Sequence, residues 1–145
     1  MWFAGGVTQD LAPAERLLRT PGRWALVGLS TNTARAAYGV AAYLQDLGHE
    51  IVPVHPSAPT VHGVRGYRTL GEVPGRIDVV DVFVNSSLAG SVIDQALALD
   101  VPAIWLQLGV HDGPAEARAR AAGVALVTSA CPAIEGRRLG VRPQA

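Results

Sequence analysis

Short apolar runs alternate along the chain with stretches in which apolar residues recur at helical spacing. Residues 23–29 (RWALVGL), 50–54 (EIVPV), 77–84 (IDVVDVFV), 101–108 (VPAIWLQL) and 124–127 (VALV) read as strands. Unbroken apolar runs of this kind suit strands buried on both faces. After the first of them, Ala37, Val40, Ala41, Leu44 and Leu47 share one helical face. Gly48 follows where a helix C-terminus favours a left-handed residue. Residues 87–99 are expected to be helical, with Ser86 or Ser87 as N-cap. Residues 114–122 form another helix, with Pro114 in its first turn and Gly123 just past its end. A leading helix spans 8–20, capped by Thr8 or Asp10, with Leu11, Leu17 and Leu18 on its apolar side. A last helix covers 132–139. Residues 56–76, which include Gly63, Gly66 and Gly71, read as irregular, with one short strand near Tyr67.

Strands that alternate with helices of this length make a parallel sheet covered on both faces, with right-handed crossovers. The expected fold is therefore α/β: a single doubly wound, Rossmann-like sheet. The whole chain, 1–145, reads as one domain with its core over 23–139. In this winding the strands 23–29 and 77–84 lie side by side, where the direction of winding reverses. Ligands bind such folds at that point, beyond the carboxyl ends of the strands. Three segments distant in sequence should meet there: 28–38, 53–57 and 84–88.

Composition narrows the partners. Apolar residues make up 49% and charged residues 17%, a globular balance. Twelve basic and twelve acidic residues cancel, so the basic excess of a duplex nucleic-acid binder is missing. Arg137, Arg138 and Arg142 read instead as a solvated helix end. The longest apolar stretch, 95–110, is broken by Asp100 and Pro102, and no membrane span fits. A single cysteine, Cys131, excludes an intramolecular disulfide, and the N-terminus carries no basic region of a signal peptide. A cytoplasmic protein is the expectation.

The loop after the first strand begins at Gly28 and continues through Ser30, Thr31, Asn32 and Thr33 into a helix. Backbone N–H groups and the dipole at a helix start favour a phosphate. An ordinary polar turn capped by Asn32 is the alternative. The dinucleotide fingerprint G-x-G-x-x-G is not met, since only Gly28 is in place. NAD-binding folds also place a carboxylate at the end of the second strand to hold the ribose diol. Here Pro53-Val54-His55-Pro56 stands there, which argues against NAD. A protonated His55 would face a 2′- or 3′-phosphate, and a structural role is its alternative.

No catalytic constellation emerges. The four histidines (49, 55, 62 and 111) have no metal-ligand spacing, and neither a nucleophile elbow nor a P-loop is present. Asp78 and Asp81, three apart in a strand, point to opposite faces. Asp81 is expected near the ligand edge of the sheet. Cys131 precedes Pro132 and a short helix whose dipole would lower a thiol pKa, or else it fills space as an apolar residue.

Several motifs in order resemble one family. They are Val27-Gly28-Leu29-Ser30, Tyr38-Gly39-Val40, Pro53-Val54-His55-Pro56, and Gly63 with Tyr67, Leu70 and Pro74. Val80-Asp81-Val82-Phe83, Trp105 to Val110 (WLQLGV) and Cys131 to Glu135 (CPAIE) follow. Together they resemble the stand-alone CoA-binding proteins related to the succinyl-CoA synthetase α-subunit, over about 8–139. The resemblance implies a Rossmann-like fold and binding of coenzyme A. It implies that Gly28 and Ser30 meet the cofactor's phosphates, that Val54 to Pro56 contact the adenosine, and that the loop after Phe83 borders the cleft. The cofactor-binding set expected on these grounds is Gly28, Ser30, Thr31, Asn32, Arg35, Tyr38, Val54, His55, Pro56, Asn85 and Ser86.

The departures matter. The family reads V-N-P-K where His55 and Ser57 replace the Asn and the Lys, and an Arg pair where Val84 and Asn85 stand. An Asp-Arg pair precedes its cysteine, at the place of Ser129 and Ala130. Three sources of positive charge for a phosphate are gone, and Arg35, Arg65 and Arg68 are the candidates to replace them. The leading functional expectation is a CoA or acyl-CoA binding module: a carrier, a sensor or a domain that docks to a partner. A Cys131-dependent redox or transferase enzyme using a CoA thioester or dinucleotide is the second. An interaction protein that kept the fold and lost the ligand is the third. Ligase activity by this chain alone is not expected, because the synthetase subunit's phosphorylated-His domain has no counterpart here. A protein partner is compatible with the first and third readings, and the oligomeric state is open.

Overall fold

The computed structural model describes residues 11–143. The chain runs α1 (Leu11–Arg19), β1 (Arg23–Val27), α2 (Ala36–Asp46), β2 (Glu50–Val54), a 3-10 turn (Leu70–Glu72), β3 (Val79–Val82), α3 (Ser86–Ala98), β4 (Ala103–Leu106), α4 (Gly113–Ala121), β5 (Ala125–Val127) and α5 (Pro132–Arg138). The first residues of the expected leading helix, with Thr8 and Asp10, lie outside the described residues.

All five strands are parallel, in the order β2-β1-β3-β4-β5. Alternation of side chains divides the core between the two faces. Trp24, Leu26, Ile51, Val79 and Trp105 pack with α1, α2 and α5 on one face. Ala25, Val27, Val52, Val54, Val80, Val82, Ile104 and Leu106 pack with α3 and α4 on the other. Each strand is thus apolar on both sides, which explains its continuous run. The winding reverses between β1 and β3, as the doubly wound reading requires.

Four strands, β1, β3, β4 and β5, are shorter than their apolar runs, and in the first three buried apolar residues continue past the ladder. Leu29 is fully buried but lies in the loop after β1, and Val101 is buried ahead of β4. The N-cap of α3 is Asn85, a correction to Ser86 or Ser87. The Asn85 side-chain Oδ1 accepts the Ser87 N–H at 3.1 Å. Ser86 is drawn elsewhere: its hydroxyl donates to Gly109 O at 3.2 Å and accepts from His111 N at 2.9 Å. Asn32 does not cap α2 either. The N-cap is Arg35, without a side-chain hydrogen bond, while Asn32 Oδ1 accepts the Ala34 N–H at 3.0 Å in a local turn.

The stretch 55–69 leaves β2 and comes back to it. Tyr67 N donates to Pro53 O and His55 N to Tyr67 O, each at 2.9 Å, so Tyr67 makes one parallel bridge to Val54. The excursion is pinned to α2 by His62, whose Nε2 bonds Tyr38 O at 2.8 Å and whose ring lies 4.3 Å from that of Tyr38. His49 is structural too. Its Nδ1 accepts the Gly22 N–H, leaving Nε2–H to donate to Leu18 O at 2.8 Å.

Candidate functional site

Beyond the carboxyl ends of β1, β2 and β3 opens a cleft of about 390 Å³. Its floor at the reversal point depends on Gly28. With φ of +106°, Gly28 turns the chain out of β1 while its N–H still donates to Val54 O at 2.8 Å. A Cβ there would lie 3.2 Å from Phe83 Cβ and 3.3 Å from its carbonyl carbon. Only a residue without a side chain lets the ends of β1 and β3 approach this closely.

Of the expected binding residues, Gly28, Arg35, Val54, His55, Pro56 and Asn85 line the cleft. Ser30, Thr31, Asn32, Tyr38 and Ser86 do not line it. Ser30 Oγ accepts the Asn32 N–H at 3.2 Å, and the Tyr38 ring packs at a tilt against His62, so local structure holds both. Arg68, one of the candidate arginines, and Leu88, within the expected segment 84–88, also line the cleft. Sequence reasoning missed the rest of the walls, which come from Thr69 and Leu70 after the excursion and from Ser91, Val92 and Gln95 on α3. One signal was present: Leu88, Ser91, Val92 and Gln95 share one helical face.

Among the described residues, the lining carries arginines and a histidine but no carboxylate. The Ser57 N–H donates to His55 Nδ1 at 3.1 Å, which assigns the proton of the neutral ring to Nε2. Arg65 is not part of the lining; its guanidinium lies 5.0 Å from the centre of the Tyr67 ring. Among the described residues, no group of three histidine, cysteine or acidic side chains is placed to hold a metal ion. No described helix is long and apolar enough to cross a membrane.

Cys131 stands at the N-cap of α5, 7% exposed, packed in the same core cluster as Trp105. Asp81 is not at the ligand edge, a correction to the sequence reading. It sits between Leu26 and Trp105 in the sheet, 0% exposed, with no partner for either oxygen. Its register with Leu26 and Trp105 places it on the α2 face, inside the apolar layer rather than at the cleft. Burial pushes its carboxyl well above the usual carboxylate range. The unfolded chain ionises this group near pH 4 or so. From there up to the raised folded value, the folded state holds the extra proton, so stability falls as pH rises. Asp81→Asn should therefore flatten this part of the pH dependence. Urea unfolding at several pH values between acid and neutral checks it, and an unchanged difference between acid and neutral stability would count against a protonated Asp81.

Comparison with known proteins agrees with this geometry. The family model described as the CoA binding domain matches residues 22–137. The chain belongs to this CoA-binding domain family. Within it, the chain is 32% identical over 120 residues to the uncharacterized protein YneT of Bacillus subtilis (strain 168), covering 83% of this chain and 89% of YneT. Among solved structures it is similar to a hypothetical protein from Pyrococcus horikoshii OT3. The TM-score is 0.82 at 32% identity, covering 90% of this chain and 91% of that one. It also matches part of the dinucleotide forming acetyl-coenzyme A synthetase 1 of Ca. Korarchaeum cryptofilum, with a TM-score of 0.63 at 23% identity. That match covers 81% of this chain and 27% of the synthetase, and it is a likeness of fold. The segments on which the sequence resemblance rests lie at the strand ends: Gly28 just after β1, Val54 to Pro56 across the end of β2, Phe83 just after β3.

Proposed function

We propose that this protein binds coenzyme A or an acyl-CoA in the reversal-point cleft, with 23–139 acting as one nucleotide-binding domain. The observation that carries the reading is the lining itself. A bare glycine turn, two arginines and a histidine surround the space where a nucleotide lies in this fold, and among the described residues no carboxylate lines it. Such a site suits a ligand rich in phosphate. It does not suit a ribose diol that needs a carboxylate acceptor, and NAD is that kind of ligand. The thiol of Cys131 is buried and does not line the cleft, which supports a carrier, sensor or docking module rather than a thiol enzyme.

Calorimetric titration tests this with CoA and NAD as the pair. CoA is expected to bind at least about tenfold more tightly than NAD, a difference of about 1.4 kcal/mol. Equal affinity, or heat from neither ligand, would overturn the reading.

A further inference from the structure

All twelve basic residues of the chain are arginines. Arg19, Arg23, Arg76, Arg118 and Arg138 are paired with carboxylates, and Arg65 and Arg137 lie against tyrosine rings. Arg35 and Arg68 line the cleft, and among the described residues neither has a carboxylate or ring partner. They enter from different elements. Arg35 ends the loop after β1, its N–H donating to Asn32 O at 3.1 Å. Arg68 directly follows the Tyr67 bridge to Val54, so it stands at the carboxyl end of β2 beside His55. The Glu72 carboxylate accepts the backbone N–H of Arg68 at 3.2 Å and fixes the main chain there.

Position decides what each arginine meets. In Rossmann-type folds the end of the second strand lies at the ribose of the adenosine. A carboxylate there selects a free diol, and an arginine nearby accommodates a ribose phosphate. The loop after the first strand lies at the diphosphate. We propose that Arg68, with the Nε2–H of His55, reads a phosphate on the ribose, and that Arg35 meets the diphosphate. This rests on the cleft being the nucleotide site. The positive charge missing at 57, 84, 85 and 130 is thereby supplied from other stretches of the chain. Arginine suits the task, because its planar fork of donors matches a phosphate.

The test is calorimetry with CoA, dephospho-CoA, adenosine 3′,5′-bisphosphate and adenosine 2′,5′-bisphosphate, on wild type and on Arg68→Ala, Arg68→Lys, Arg35→Ala and Arg65→Ala. Circular dichroism checks that each variant is folded. Wild type is expected to bind CoA about tenfold or more better than dephospho-CoA, and the 3′,5′-bisphosphate better than the 2′,5′-isomer. Arg68→Ala should erase the gap between CoA and dephospho-CoA while leaving dephospho-CoA affinity unchanged. Arg68→Lys should keep part of the gap. Arg35→Ala should weaken both ligands alike, and Arg65→Ala should change neither. A gap that survives Arg68→Ala would overturn the assignment of Arg68 alone. A wild type that binds both ligands equally, or prefers the 2′,5′-isomer, would overturn 3′-phosphate reading. No binding of any of the four would instead sink the nucleotide site itself.

Discussion

Trp105→Ala is expected to lower the free energy of unfolding by about 3–5 kcal/mol, the range for emptying a buried tryptophan site. Trp105 is fully buried at the centre of β4, with its ring 5.7 Å from that of Trp24. Its neighbours in the sheet are held by the ladder and cannot collapse into the space. The indole also donates from Nε1 to Ala130 O at 2.9 Å, tying the segment after β5 to the sheet. Truncation therefore leaves a cavity and a lost hydrogen bond together. Trp105→Phe keeps most of the volume and loses the bond, so its cost should be clearly smaller. Urea unfolding of the two variants measures both. Equal small losses would mean that the core rearranges around position 105.

Gly28→Ala should cost about 2–4 kcal/mol and weaken nucleotide binding as well. Two causes add. A φ of +106° lies where side chains strain the backbone, and such strain costs about 1–3 kcal/mol. The added carbon also meets Phe83 at 3.2–3.3 Å, and crowding of a packed site costs about 1–3 kcal/mol if nothing yields. Phe83 Cβ and carbonyl carbon belong to the chain leaving β3, so relief would move Val84 and Asn85, which line the cleft. Urea unfolding and CoA titration of the variant should both show the loss. A variant as stable as wild type, with unchanged CoA affinity, would mean that the reversal point tolerates a side chain.

The fold was legible because burial on both faces leaves an unbroken apolar run for each strand, and α2 shows its buried face at helical spacing. Strand ends were less legible, since Leu29 and Val101 are as buried as the ladder residues beside them. The cap of α3 was ambiguous for a different reason. Asn85, Ser86 and Ser87 all have capping side chains, and the choice is settled by the Gly109–His111 loop, which reaches Ser86 from over 20 residues away. At the site, the three segments expected to converge do contribute to one cleft. The α3 wall beyond Leu88 stayed hidden, because it depends on how a helix lies across the strand ends. Arg68 was one of three candidate arginines, and the Tyr67 bridge is what brings it to the cleft. Asp81 shows the opposite failure: a carboxylate in a strand near the ligand edge suggested the site, and the alternation of faces buries it on the α2 side instead.

A crystal structure of the protein grown with saturating CoA tests the central claim most directly. Density for the nucleotide over the ends of β1, β2 and β3, with adenosine against Val54 to Pro56 and its ribose phosphate at Arg68, is the predicted result. CoA seated elsewhere on the molecule, or a solvent-filled cleft at saturation, would contradict it.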